Sequence, residues 1–313
     1  MTTQHLLTSY GDVWSKVGPP GLQTRVNASS LEIAKQCPRK YQYRIVEGRE
    51  GRHEKVDTEF GTLVHKGLEM YDRARLDGCD HGQALEVVAA WTLKATWDSQ
   101  LDRPKVFDHP QKNRESLLRV LVWYCDQFPK EKDLELLVLA DGTPALELAF
   151  EFDSGYKYGA TGEAISFIGK LDKMVKFAGG VYIKDRKTTK NELSTKYFAQ
   201  FSPNGQVSQY TLAGQVVFGE PVKGLIIEGI QIGTTFARFR RAKIDRPKAV
   251  LDEWLRDQGE WLMQIERWAL DGYWPQNDAA CSLYGGCEFR SICGMTPASR
   301  ETWLRKDWTG GPT

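Results

Sequence analysis

The stretch Ile168–Lys190, IGKLDKMVKFAGGVYIKDRKTTK, decides the fold, because it reads as two strands folded back on each other at a glycine pair. With Gly179 and Gly180 as a two-residue loop, Ala178 faces Val181, Met174 faces Asp185 and Asp172 faces Lys187. Side chains alternate along a strand, so Asp172, Asp185 and Lys187 emerge on one side. The two aspartates then stand as diagonal neighbours with β-carbons about 7 Å apart, a gap that two carboxylates close around one cation. A loop of odd length would turn Asp172 to the opposite face. A hard cation such as Mg²⁺ or Mn²⁺ takes carboxylate oxygens and keeps several waters, so the pair offers a partial coordination shell. An ammonium on the same face, as at Lys187, suits steadying a phosphoryl oxygen or helping to deprotonate an attacking water. The same residues also describe an exposed hairpin with surface ion pairs, and the D-x-K spacing alone does not choose between the two.

Working outward, the periodicity upstream is helical. Residues 1–26 hold Gly18-Pro19-Pro20-Gly21 and no clear period, which predicts an extended arm. A helix is expected from Asn27, with Ser29 and Ser30 as cap candidates, up to Cys37-Pro38. The segment CPRKYQYRIVEG fits either period. Helices follow over 60–75, 84–97 and 113–128, so the region 27–135 is expected to be mainly helical. Then the period changes to two: Ala145–Phe152, ALELAFEF, puts Leu146, Leu148, Phe150 and Phe152 on one face and Glu147 and Glu151 on the other. After the hairpin come a helix through GQVSQYTLAGQVVFG, a strand over Gly224–Ile232 and a second strand in TTFARFRRAKI. A long helix from Asp245 and Pro247 to Leu270 closes this part, with Leu251, Trp254, Leu255, Trp261, Leu262, Ile265 and Trp268 on its stripe. The order predicts a mixed α/β fold whose sheet core spans 145–245.

Composition narrows the class. The 313 residues suffice for a sizeable core, and 42 basic against 41 acidic residues leave no global field for a nucleic-acid partner, so any such partner is held by a local patch. The cluster Arg238, Arg240, Arg241 and Lys243 around Phe239 is one candidate patch. No run approaches the ~18 apolar residues of a membrane span, and the polar start lacks a signal pattern, so the reading is a cytoplasmic protein without membrane association.

Six cysteines in such a chain point to metal binding or simple burial rather than a disulfide framework. Cys79 and Cys125 sit in helical surroundings and read as buried thiols. Cys281-x5-Cys287-x5-Cys293 is different, since clustered thiolates wrap a soft centre and Cys37 offers a fourth ligand from the other end of the chain. An iron–sulfur cluster, zinc and unliganded thiols all stay open on spacing alone. His65 on an apolar helix face, and Gln206 with Tyr210 one turn apart, are individually compatible with ordinary packing.

Taken in order, these segments resemble the RecB-like branch of the PD-(D/E)XK nucleases, the clade with a C-terminal iron–sulfur cluster that includes the AddB-type nuclease domain and the CRISPR-associated adaptation nucleases. The resemblance rests on Cys37-Pro38-Arg39-Lys40-Tyr41, on Gly61-x-x-x-His65, on Gly169-Lys170-Leu171-Asp172, on Asp185-Arg186-Lys187-Thr188, on Gln206-x-x-x-Tyr210 and on the three late cysteines. It runs from Ser29 to Cys293. It implies a restriction-endonuclease-like mixed sheet flanked by helices, forming one nuclease domain over 27–293 with a C-terminal tail over 294–313. It further implies that His65, Asp172, Asp185 and the Arg186 carbonyl hold a catalytic Mg²⁺ or Mn²⁺. By the same resemblance Lys187 assists the attacking water, and Gln206 and Tyr210 orient the site. Cys37, Cys281, Cys287 and Cys293 would carry a [4Fe–4S] cluster that pins the two ends of the chain together, where a crosslink restricts the unfolded chain most.

The implied activity is metal-dependent DNA exonuclease cleavage of single-stranded or duplex ends, in phage or prokaryotic recombination, repair or CRISPR adaptation. A helicase or recombination protein would be its partner. The alternative is a nuclease fold that grips DNA ends or a helicase without cleaving. One departure stands out: Lys184 and Arg186 replace the apolar residues expected around the second aspartate. Their parity turns them away from the carboxylates, which predicts a shallowly covered or DNA-contacting rear face.

Overall fold

The computed structural model describes residues 17–49, 55–105, 107, 109–128, 133–283 and 286–305. Most of the predicted arm and the end of the predicted tail, residues 1–16 and 306–313, lie outside the described residues. The rest of the arm is structured. Strand β1 (Val17–Gly18) pairs with β2 (Leu22–Gln23), and β3 (Arg25–Val26) joins the main sheet. Helix α1 (Ala28–Gln36) is capped by Asn27, whose side chain accepts from the Ser30 N–H at 2.8 Å; the cap is thus not Ser29 or Ser30. The ambiguous CPRKYQYRIVEG is helical: α2 (Pro38–Tyr41) passes into a π-helical turn over Gln42–Val46. The three expected helices are α3 (Lys55–Leu76), α4 (His81–Ala95) and α5 (Arg114–Gln127). Between α4 and α5 lies a small ribbon of β4 (Trp97–Asp98) and β5 (Arg103–Pro104). Reciprocal caps start both helices, Asp80 with Gln83 and Asn113 with Ser116.

The sheet is built from β6 (Glu135–Leu136), β7 (Leu146–Lys157), β8 (Ala164–Phe177) and β9 (Gly180–Thr189). Helices α6 (Thr195–Ala199) and α7 (Gly205–Val216) cross over to β10 (Val222–Ile232), which lies parallel to β9, and β11 (Ala237–Asp245) closes the edge antiparallel. The path β11-β10-β9-β8-β3 therefore mixes parallel and antiparallel pairs, as expected for a mixed α/β core. Helix α8 (Lys248–Leu270) follows, then the cysteine loop with α9 (Arg290–Cys293) and α10 (Pro297–Arg305). Among the described residues no helix is long and apolar enough to cross a membrane.

The hairpin differs from its prediction in register. Phe177 faces Gly180 and Met174 faces Ile183, so the loop is Ala178-Gly179 rather than Gly179-Gly180. Both loop residues are left-handed, at φ 45° and 71°, as a two-residue hairpin turn demands. The slip is by two residues in pairing, so parity survives. Met174 and Ile183 enter one core with Phe150, Phe167 and Leu225, packed by Leu31 of α1, Val207 of α7 and Leu262 of α8. Val175 and Tyr182 face the other side.

On that other side α3, α4 and α5 form a second core that takes in Ile230 and Ile232 of β10. The expectation of a shallow or DNA-contacting rear face is overturned here. Lys184 is 0% and Arg186 1% exposed, both roofed by helices. Buried charges need partners, and they have them: Lys184 Nζ lies 3.0 Å from Glu228 Oε2, and Arg186 Nη2 lies 2.8 Å from Asp72 Oδ2.

Candidate active site

The site opens where the sheet comes apart. Strand β8 pairs with β3 at Ser166 and Phe167 and with β9 from Lys173 onward, both on the same edge, since β7 and β6 occupy the other. Between Phe167 and Lys173 that edge has no strand partner among the described residues. Helix α7 fills part of the gap, where Gln209 Nε2 donates to the Ile168 carbonyl at 3.0 Å. Asp172 fills the rest. Its Oδ2 accepts from the Arg186 backbone N–H at 3.0 Å, taking the place of the next ladder rung. The carboxylate is thereby fixed against β9 beside Asp185.

Helix α3 delivers His65 to the same oxygen, with Nδ1 3.1 Å from Asp172 Oδ2. Gly61, one turn earlier, faces β9, where an added β-carbon would lie 3.4 Å from Thr188 Oγ1, close to ordinary contact. From the α7 side, Gln206 Oε1 accepts from Lys187 Nζ at 2.8 Å, and the same ammonium reaches Asp185 Oδ2 at 2.8 Å. Tyr210 packs its ring edge-on to Phe150, centroids 5.7 Å apart, over Gly169. A β-carbon at residue 169 would stand 2.6 Å from Phe150 and 3.2 Å from Tyr210. His65 thus meets Asp172, and Lys187 meets both Asp185 and Gln206, between α3 and α7, while Tyr210 lies one turn further along α7 against Phe150.

The electrostatics divide the two acids. Burial works against ionised Asp172, yet His65, by charge and hydrogen bond, and the Arg186 N–H and guanidinium outweigh it and hold this carboxyl well below the usual range. Asp185 is raised, chiefly by burial, with Asp172 adding repulsion against the pull of Lys187. Burial also opposes charged His65, but Asp172 and Asp185 raise it overall. The donor chemistry suits a hard divalent cation: two carboxylates and an imidazole, with the Lys187 ammonium at 2.8 Å holding the place beside Asp185 Oδ2. In this conformation each acid faces a protein cation instead. Among the described residues no three His, Cys, Asp or Glu side chains are already gathered around a metal-sized space.

One acid beside the site escaped the sequence reading. Alternation sets Glu147 on the face opposite Leu146 and Leu148, and only 7% of its side chain is exposed. The β7–β8 ladder skips it, its φ is 55°, and the Asp172 charge, after burial, raises its pKa. Lys170 pairs with one of its oxygens while Oε1 is buried without a hydrogen bond. Strict alternation gave no signal of the left-handed backbone at residue 147.

The basic cluster is also rearranged. Arg241 turns inward to Glu228 at 2.5 Å, and Arg240 Nη1 donates to the Leu193 carbonyl at 2.8 Å. Cys37, Cys281 and Cys287 line one cavity, but among the described residues no three cysteines are gathered closely enough to hold a metal ion. Burial raises the Cys287 thiol, with Cys281 and Cys37 adding to the shift. The Cys293 thiol is pushed up to about 11 by burial, with Cys287, Cys37 and Cys281 contributing. Asn277 bridges the two chain ends, its N–H 3.4 Å from Cys37 Sγ and its carbonyl 3.8 Å from Cys281 Sγ. Soft thiolate donors of this kind suit an iron–sulfur cluster or zinc. Cys125 is buried and Cys79 partly so, as simple thiols.

Compared with known proteins, residues 25–294 match the family model of the PD-(D/E)XK nuclease superfamily. A search of curated proteins finds no match. Among solved structures, a protein from Eubacterium rectale described as a "putative exonuclease" aligns with a TM-score of 0.52 and 11% identity, over 89% of this chain and 92% of that one. A second structure, of SSO0001, aligns with a TM-score of 0.33 and 10% identity over 88% of this chain and 86% of that one, too distant to inform the fold.

Proposed function

The chain belongs to the PD-(D/E)XK nuclease superfamily, and from that premise we propose that it is a divalent-metal-dependent DNA exonuclease. The observation that carries the reading is the meeting of Asp172, Asp185 and Lys187 in one cleft, with His65 on the first acid and Gln206 on the lysine. A bound Mg²⁺ or Mn²⁺ would supply Lewis-acid polarisation of the phosphodiester and acidify a water. His65, Asp172, Asp185 and the Arg186 carbonyl are the residues to hold it. Lys187 presents its ammonium to the phosphoryl oxygens as negative charge builds on them, oriented by Gln206. Tyr210 walls the cleft on the α7 side.

Cys37, Cys281, Cys287 and Cys293 are proposed to carry a [4Fe–4S] cluster that ties residues 37 and 293 together around a single nuclease domain over 27–293. An iron–sulfur cluster absorbs near ~400 nm, whereas a zinc-loaded protein is colourless. We place the activity in prokaryotic or phage DNA recombination, repair or CRISPR adaptation.

The test is digestion of end-labelled single- and double-stranded linear DNA with Mg²⁺ or Mn²⁺ by the wild type, Asp172→Ala and Lys187→Ala. Cleavage by the wild type alone supports the reading. Wild-type cleavage rates in both variants would end it.

A further inference from the structure

We propose that Arg186 is a positioning residue, whose side chain, pinned behind the sheet by Asp72, Tyr124 and Glu228, fixes the backbone that clamps Asp172 in front. The inference rests on the nuclease reading of the cleft and adds to it the part that the charged residues around the second aspartate play.

The middle residue of Asp185-Arg186-Lys187 serves two faces at once. In front, its N–H is held by the Asp172 carboxylate at 3.0 Å, in the gap where the β8–β9 ladder has ended. The β10 ladder holds one edge of β9 here, but on the β8 side no strand rung steadies it among the described residues, so on that side the anchors of the side chain add to the hold on this peptide. Behind, the guanidinium lies 2.8 Å from Asp72 Oδ2, 3.3 Å from Tyr124 Oη and 3.8 Å from Glu228 Oε2. Its Cζ also lies over the Tyr124 ring, 5.5 Å from the centroid.

The anchors are rigid for independent reasons. Glu228 stands level with Arg186 on β10, and Arg241 stands level with Glu228 on β11, so Arg186, Glu228 and Arg241 form one row across three paired strands. Lys184 Nζ adds bonds to Glu228 at 3.0 Å and to Tyr124 Oη at 2.8 Å. Asp72 belongs to α3, the helix that also delivers His65, and it reaches Lys173 at 3.1 Å as well. One helix therefore contacts Asp172 from the front through His65 and the back of the neighbouring strand through Asp72.

An apolar residue at position 186 would satisfy the burial but would leave the peptide without this tether. A guanidinium held on several sides has one orientation, and its backbone is held with it. Partners of this kind, one bond removed from a metal ligand, change metal affinity by about 10- to 100-fold when lost.

The test compares the full-length wild type with Arg186→Met, Arg186→Lys and Asp72→Asn in three measurements: thermal melting, Mn²⁺ titration by calorimetry without DNA, and kcat and KM on linear DNA. Asp72→Asn leaves every front-face residue in place. The proposal expects Mn²⁺ affinity to fall about tenfold or more in Arg186→Met and less in Asp72→Asn, with partial rescue in Arg186→Lys. It also expects kcat to fall while KM for DNA holds. Variants that melt at lower temperature but bind Mn²⁺ as the wild type does, at a temperature where they are folded, would overturn it. If Arg186→Met does not fold, Asp72→Asn decides the question alone. A wild type that binds Mn²⁺ but cuts no DNA would remove the nuclease reading, while the calorimetric comparison still judges the tether.

Discussion

Lys187 Nζ stands 2.8 Å from Gln206 Oε1, a bond that ties the β9 ammonium to the first turn of α7 across the cleft. The amide holds the lysine without competing for its charge, so the two side chains act as a unit. Lys187→Met is expected to lower kcat by roughly 10²–10³, the usual cost of removing one preorganised stabiliser of transition-state charge. Gln206→Ala should lower it less, about tenfold, because the ammonium persists but loses its orientation. The double variant should cost no more than Lys187→Met alone, since coupled residues are not additive. Steady-state kinetics on linear DNA check this, and a fully additive double variant contradicts the coupling.

Glu228 sets an acid limit on stability. Burial opposes its ionised form, but Lys184, Arg241 and Arg186, with a hydrogen bond from Tyr124, bring its pKa down to about 2 against the ordinary 4.5. A depressed carboxylate stabilises the fold fully above its unfolded pKa and loses that contribution as pH falls through the folded value. The window is therefore pH 4.5 down to 2, and the shift corresponds to on the order of 3 kcal/mol. Denaturant unfolding measured across that range should show the loss. Glu228→Gln should be less stable at neutral pH, because three cations lose their counter-charge, and its stability should change less between pH 4.5 and 2. An unchanged acid slope in that variant counts against the assignment.

How far the sequence reached follows from the range of the interactions. Hairpin parity depends on residues a few positions apart, so the shared face of Asp172, Asp185 and Lys187 was legible although the loop was placed one residue late. Helix periodicity found α3 and α5 but not what their inner faces meet. Lys184 and Arg186 read as surface residues because their partners Asp72, Tyr124 and Glu228 come from three other elements, 42 to 114 positions away in the chain. Glu147 was hidden by the regular alternation of ALELAFEF, since its positive φ changes the local backbone without changing the pattern.

Gly169 is required by a close approach rather than by its backbone angle. Its position leaves room for Phe150 and Tyr210, and an added β-carbon would come within 2.6 Å of one ring and 3.2 Å of the other. Gly169→Ala should destabilise by about 1–3 kcal/mol, the range for overpacking a filled core. The clash falls first on Phe150 and through it on its edge-on partner Tyr210, proposed to wall the cleft, so activity should fall more than the folded fraction accounts for. A denaturation midpoint equal to the wild type's would show that the rings have room to move.

The turn itself offers a test of register. Ala178 holds φ 45°, which costs an L-residue with a β-carbon roughly 1–2 kcal/mol, whereas asparagine tolerates that region and Asn-Gly is the favoured pair for such a loop. Ala178→Asn should therefore stabilise by about 0.5–1 kcal/mol. Gly179→Ala, at φ 71°, should destabilise by about 1 kcal/mol. Gly180 is a paired strand residue opposite Phe177, and a β-carbon there would meet only the flexible end of Lys223. Gly180→Ala should accordingly be the milder of the two glycine changes. A Gly179-Gly180 loop predicts the reverse order, with Ala178→Asn unfavourable in a strand. The ranking matters for the chemistry because the observed register, continued past Lys173 and Lys184, brings Asp172 level with Asp185 rather than diagonal to it. Level carboxylates repel more strongly, which adds to the burial that chiefly raises Asp185 beside an ionised Asp172.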